Sequence, residues 1–333
     1  MALRLIEIYG ISEKKENIES ILKDITIYGL WQDKLPDKKR VTRILIDSEQ
    51  TEPVLETLEE KYEKDNDFRI IVLPVEASIP RPDKDEIKDY EKKTKERLSI
   101  EELYQTIIEQ ATISKTFFLL IILASIVASI GVLYNNVAVI IGSMVIAPLL
   151  SSSMALSLST TLADSKLARE ALITSLVGYF IAIAIGILFG LLFTINPNAP
   201  EIISRTDVNF MYLLLALASG IAGSLSFTKG ISQALVGVIV AVALLPPLVV
   251  TGLLIGSFYW SNALGSFLLF SVNVVCINLA SVVTFLTQGI TPKKWWKKEK
   301  AKKSVQKAVI IWTSMLLLLI VLILLYQFLL SIL

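Results

Sequence analysis

The chain of 333 residues contains no histidine and one cysteine. Without imidazole, the commonest general base is missing, and most zinc and haem chemistry is excluded. A lone thiol, Cys276, sits in an apolar segment and rules out an intrachain disulfide framework. No G-x-G-x-x-G or Walker-type loop is present, so a nucleotide site has no support. The opening MALRLIEIYG lacks a basic stretch followed by a long apolar core and does not read as a cleaved signal peptide. Charge is scarce beyond the first third. Residues 1–115 hold 20 of the 32 Lys and Arg and 26 of the 31 Asp and Glu, a net of −6, which leaves 12 and 5, a net of +7, for residues 116–333. No Asp, Glu, Lys or Arg lies deep in an apolar run, which argues against an intramembrane carboxylate relay; Asp164 and Lys166 fall in a turn. With no buried base and no ligand cluster, the expectation is a protein that is not an enzyme and carries no cofactor or metal.

What is abundant is apolar surface. At 53% hydrophobic residues and a mean hydropathy of +0.63, the chain is too apolar for a soluble domain. Runs near the roughly 20 residues that cross a bilayer occur at 116–134, 137–160, 168–193, 208–228, 231–256, 262–288 and 306–333, seven spans in all. The run TPKKWWKKEKAKK carries Lys293, Lys294, Lys297, Lys298, Lys300, Lys302 and Lys303, and basic loops stay cytoplasmic. Counting back from it, Lys166, Arg169, Lys229 and the N-terminus share that side, whereas the loop with Arg205 and the C-terminus lie opposite, as expected of a multi-pass protein of the cell membrane. The basic loop 291–305 is expected to meet anionic lipid; its position between spans speaks against nucleic acid.

The charged part has its own pattern. Strand-like and helix-like periods alternate over residues 1–82: strands at 2–9, 25–31, 39–47 and 68–75, helices at 13–24 and 52–64. This βαββαβ order predicts an α+β, ferredoxin-like cytoplasmic domain, of a kind that often pairs into homo-oligomers. Residues 83–115 read as a linker ending in an amphipathic helix, with Ile100, Tyr104, Ile107 and Ala111 at helical spacing. The rest divides into a six-span core, 116–290, the basic loop 291–305, and an almost purely Leu and Ile last span, 306–333, of lipid-facing character.

Two spans carry internal breakers. VIIGSMVIAPLLSSSMALSLS at 139–159 and ALVGVIVAVALLPPLVVTGLLIG at 234–256 share an order of glycine, branched residues, proline and a small-polar continuation. Each is the middle of three consecutive spans, 116–193 and 208–288; three being odd, two such units in series face opposite ways, an inverted 3+3 repeat. Matching interruptions in two inverted halves point to a transporter-type site near mid-depth, because proline frees a carbonyl that lipid cannot satisfy. The candidate substrate-binding residues are Gly142, Ser143, Pro148, Ser151, Ser152 and Ser153 at the first break, Gly237, Pro246 and Pro247 at the second, and Asn273 and Asn278 in the sixth span. Kinks healed by neighbouring helices, and asparagines that only join helices, are the bland alternatives. Gly178, Ala182, Gly186 and Gly190, like Ala216, Gly220 and Ser224, and Gly252 with Gly256, recur every four residues and predict close helix packing without a ligand role.

The stretches NNVAVIIGSMVIAPLLSSSMALSLSTTLAD, SGIAGSLSFTKGISQALVGVIVAVALLPPLVVTG and FSVNVVCINLASVVTFLTQG together resemble the domain-of-unknown-function 389 family of prokaryotic integral membrane proteins. The resemblance rests on IGxMxIAPL, Asp164, SGxAG, AxALxPPL and the late asparagine; the family commonly continues IAPL with Met, Gly and Pro, where this chain has Leu150, Ser151 and Ser152. It implies a prokaryotic membrane protein and no activity. The residues therefore suggest a transporter or channel for a small solute or ion with a cytoplasmic regulatory domain, and, as the alternative, a membrane-anchored ligand sensor without transport.

Overall fold

The computed structural model describes residues 3–11, 22, 25–36, 39–62, 68–78, 98–207, 210–230, 233–291 and 298–332. It divides into two compact units, residues 1–103 and 104–333.

The first unit is built on an antiparallel four-stranded sheet in the order β2-β3-β1-β4, from β1 (Leu3–Ile11), β2 (Gly29–Lys34), β3 (Lys39–Asp47) and β4 (Arg69–Val75). Alternation decides its faces: Ile6, Ile8, Ile44 and Ile46 point to one side and pack with Val54 and Leu58 of helix α1 (Thr51–Tyr62). The expected first helix, 13–24, lies outside the described residues except Leu22, which is buried in this core. The second strand runs at 29–34 rather than 25–31. Ile25 and Ile27 do pack on the core, but the strand itself is the polar WQDK edge, which pairs only with β3 and needs no apolar face. On the sheet's other face Arg43 donates to Glu7 (2.7 Å), as does Tyr9 (2.7 Å), and these bonds hold the Glu7 carboxyl below its ordinary pKa.

Helix α2 (Ile100–Ala111) buries Ile100, Leu103, Ile107 and Ala111, one stripe of the expected amphipathic pattern. The second unit continues through α3 (Lys115–Leu133), α4 (Val137–Ile146), α5 (Leu149–Leu162), α6 (Ser165–Leu192), the short α7 (Pro200–Ile203), α8 (Phe210–Lys229), α9 (Gln233–Gly256), α10 (Trp260–Thr287) and α11 (Lys298–Ile332). Polar residues set the ends. Ser114 caps α3, Asn136 caps α4, and Asp164 caps α6 by accepting from Lys166 N and Leu167 N (3.0 and 3.1 Å). Asp164 also accepts from the Tyr104 hydroxyl (2.7 Å), and burial together with this bond pushes the Tyr104 phenol up to about 12.

Among the described residues five helices, α3, α6, α8, α10 and α11, are long and apolar enough to cross a membrane, or six if the bent pair α4–α5 is one span. The count of seven is not reached among the described residues, where Ala243–Gly256 of α9 is a shorter apolar helix. Of the basic loop, 292–297 lie outside the described residues, and Lys298, Lys300, Lys302 and Lys303 begin α11. Most described side chains of α11 are exposed, in keeping with a peripheral helix.

The expected small-residue ridges are contact lines. A Cβ on Gly186 would lie 2.6 Å from the Val249 carbonyl oxygen, and one on Gly252 2.8 Å from Gly186 Cα. One turn on, a Cβ on Gly190 would come within 3.0 Å of Gly256 Cα, and Ser257 donates to the Gly190 carbonyl (2.9 Å). Helices α6 and α9 thus touch backbone to backbone. Between α8 and α10, a Cβ on Gly220 would meet the Ile277 carbonyl at 2.6 Å. By contrast nothing lies within 4 Å of a Cβ on Gly142.

Gly252→Val is therefore expected to lower stability by about 1–3 kcal/mol or more through overpacking, and Gly142→Ala to leave it unchanged or raise it by up to about 1 kcal/mol. Melting of the two variants in detergent micelles checks the pair; equal losses would contradict the assignment of the seam.

Candidate functional site

The two proline segments behave differently. At the first, α4 ends at Ile146, Ala147 is extended (φ −70°, ψ 121°), and α5 starts after Pro148 at an angle of 51° to α4. Pro148 excludes the helical conformation from the residue before it, which explains the position of the break. The bend leaves helix ends on both sides with peptide groups that have no intrahelical partner, and no side chain caps the start of α5. Eleven of its fourteen residues are buried, so this helix end belongs to the protein interior.

At the second segment the expected break does not occur: α9 is helical throughout Gln233–Gly256 with Pro246 and Pro247 inside it. The reason is on α10. Pro247 lacks the N–H that would bond the carbonyl four residues back, that of Ala243, and the Asn273 amide donates to this carbonyl instead (2.8 Å). Two turns earlier on α10, Ser266 donates to the Pro247 carbonyl (2.8 Å), which also accepts from Thr251 (2.7 Å). The neighbouring helix thus replaces the bond that Pro247 cannot make.

The other candidate residues fall as follows. Gly142 is exposed; Ser143 and Ser152 are buried and bond backward to the Ile140 and Leu149 carbonyls (2.6 and 3.1 Å). Ser151 is half-buried. The Ser153 hydroxyl, and that of Ser175 on α6, are buried beside the Tyr179 phenol. Gly237 lies on α9, ten residues before Pro247. Asn278 joins helices: its Oδ1 accepts from Ser157 of α5 (2.9 Å), and its amide donates to Val274 within α10 (2.8 Å). These hydrogen bonds of Ser143, Ser152, Pro247 and Thr251 do not join the serines of the first break to the prolines of α9.

A different set of residues does converge. Ser204 and Arg205 after α7, Tyr212, Leu215 and Ala216 of α8, Ala243 and Pro247 of α9, and Leu269 and Asn273 of α10 line a cavity of about 100 Å³. The Asn273 Oδ1 is buried and without a partner. Arg205 is paired with Glu201 (2.6 Å) and donates to Ser204 (3.0 Å). Sequence reasoning missed Ser204, Arg205, Tyr212 and Ser266 as site residues. Arg205, the lone basic residue of its loop, was a signal, as was the seven-residue spacing of Ser266 and Asn273, which puts both on one face of α10. Among the described residues no group of three His, Cys, Asp or Glu could hold a metal.

The profile described as Domain of unknown function (DUF389) matches residues 144–279, which include Pro148, the proline pair and both asparagines. An uncharacterised protein of Methanocaldococcus jannaschii is 40% identical over 253 residues, 76% of this chain and 78% of that protein. No solved structure matches.

Replacing Asn273 by Leu orphans the Ala243 carbonyl and is expected to cost about 1–3 kcal/mol. In a Pro247→Ala background, where residue 247 again supplies an N–H, the same change is expected to cost markedly less, a coupling that a double-mutant cycle of unfolding free energies reads directly. Additive losses would show that Asn273 does not heal the helix.

Proposed function

We propose that this chain, which belongs to the domain-of-unknown-function 389 family, is a transporter or channel that passes a small solute or ion beside the break between α4 and α5. The observation that carries the reading is that break: a span bent by 51° at Pro148, with an uncapped helix start turned into the protein. In a bilayer core such groups are tolerated only against protein, water or a solute. Broken helices placed this way serve transporters by turning peptide dipoles toward the passing particle.

In this reading the whole of α9 counts with the five long helices and the bent pair, which makes seven spans. The halves α3, α4–α5, α6 and α8, α9, α10 form the inverted repeat. Its support is reciprocal packing: α5 of the first half lies on α10 of the second, α9 of the second on α6 of the first, and α4 meets α9. The first unit, with strand order β2-β3-β1-β4, is a ferredoxin-like cytoplasmic domain that regulates passage and pairs the chain into a homo-oligomer. The basic stretch 291–305 faces anionic lipid on the cytoplasmic side of the cell membrane, and the C-terminus lies on the opposite side. No catalytic step is assigned.

The sensor alternative has one specific support, the bond between Tyr104 of α2 and Asp164 at the start of α6, which ties the amphipathic helix to a turn between apolar helices.

Pro148→Ala allows α4 and α5 to rejoin and is expected to abolish most solute flux in proteoliposomes while leaving helix content and monodispersity unchanged. Flux equal to that of the parent chain, or folded protein that passes no member of a broad panel of ions and neutral solutes, would transfer weight to the sensor reading.

A further inference from the structure

The cavity among α8, α9 and α10 is built differently from the break and supports a conclusion of its own. Its volume of about 100 Å³ corresponds to roughly three water molecules at about 30 Å³ each, room for a solute of a few heavy atoms. Asn273 is fixed in orientation there. Only its Nδ2 can donate to the Ala243 carbonyl, so the oxygen is necessarily the atom left over. That Oδ1 is buried and unpartnered, and Asn273 lines the cavity. An acceptor in this condition calls for an N–H or O–H donor.

Arg205, on the loop after α7, supplies the opposite polarity. Its Nη1 is engaged by the Glu201 carbonyl and carboxylate and by Ser204, and Nε and Nη2 take no part in these contacts. The Glu201 carboxylate beside the guanidinium balances its charge. A free anion would have to compete with that carboxylate, and a cation would meet the guanidinium. The walls between, Leu215, Ala216, Pro247 and Leu269, are apolar.

We infer that this cavity binds a small uncharged solute bearing both an N–H donor and a carbonyl acceptor, of the primary-amide class, with its donor on Asn273 Oδ1 and its acceptor toward Arg205. The site does not depend on the transport reading, since a ligand held here can regulate the protein without crossing it. It also gives the proline pair of α9 a use: by taking up the Asn273 amide, Pro247 leaves the oxygen without a partner.

Acetamide is the probe, with N,N-dimethylacetamide, which accepts but cannot donate, acetate and methylammonium as comparisons. Binding to the full chain in nanodiscs is read by saturation-transfer NMR of the probe methyl groups and by the rise in melting temperature. Acetamide is expected to bind saturably, the dimethyl compound about tenfold more weakly or worse, and the two ions not measurably. Arg205→Gln should weaken acetamide by about tenfold. Leu215→Trp, at a half-exposed position on the rim that tolerates bulk, should block it. No saturable acetamide signal, binding of the dimethyl compound or the ions at equal strength, or wild-type affinity in both variants would overturn the site, leaving hydration alone in the cavity. Acetamide binding in protein that shows no flux of any solute would remove the transport reading and leave this site standing; flux without acetamide binding would do the reverse.

Discussion

Every peptide N–H and C=O in an apolar slab must find a partner within the protein, and proline is the residue that breaks this rule from inside a helix. The chain meets the demand in two opposite ways. At Pro247 a side chain from the neighbouring helix takes over the missing bond, and α9 stays continuous. At Pro148 no side chain caps the helix that follows, Ala147 becomes extended, and one span becomes two half-helices. The same residue type thus yields a straight rod in one place and an opening in the other, and the difference lies in what α10 offers to each.

Helix packing makes that economy workable. Gly186, Gly190, Gly252 and Gly256 bring α6 and α9 into backbone contact, which holds α9 in place although its proline segment lacks part of its own hydrogen bonding. Gly220 does the same between α8 and α10, where Ser281 donates to the Gly220 carbonyl (3.1 Å). Around these seams the buried hydroxyls mostly bond to carbonyls of their own helix, as Ser125, Ser129, Thr161 and Thr284 do. Ser157 with Asn278, Ser266 with Pro247 and Ser281 with Gly220 instead join one helix to another. Rigid seams beside one unhealed bend describe a frame with a single irregular line through it.

Features fixed by local chemistry were legible in the sequence. The Ala147–Pro148 break follows from the clash between proline and the residue before it, the glycine seams from their four-residue spacing, and the core of the first unit from strict alternation in β1 and β3. What failed needed distant information. Strand β2 was placed too early because its residues are polar, and only pairing with β3 makes them a strand. The break at Pro246 and Pro247 was expected because the donor that heals it lies 26 residues further on, at Asn273. The cavity draws on four elements, and no spacing along the chain announces that Arg205, Tyr212, Ala243 and Asn273 will meet.

The central claim is that peptide groups at the start of α5 are unsealed while those around Pro247 are sealed. Hydrogen–deuterium exchange of the chain in nanodiscs, resolved to single amides, measures this without any substitution. The account predicts fast exchange at Leu149 and Leu150 and strong protection at Val249 and Val250. Equal protection of the two sets would contradict it.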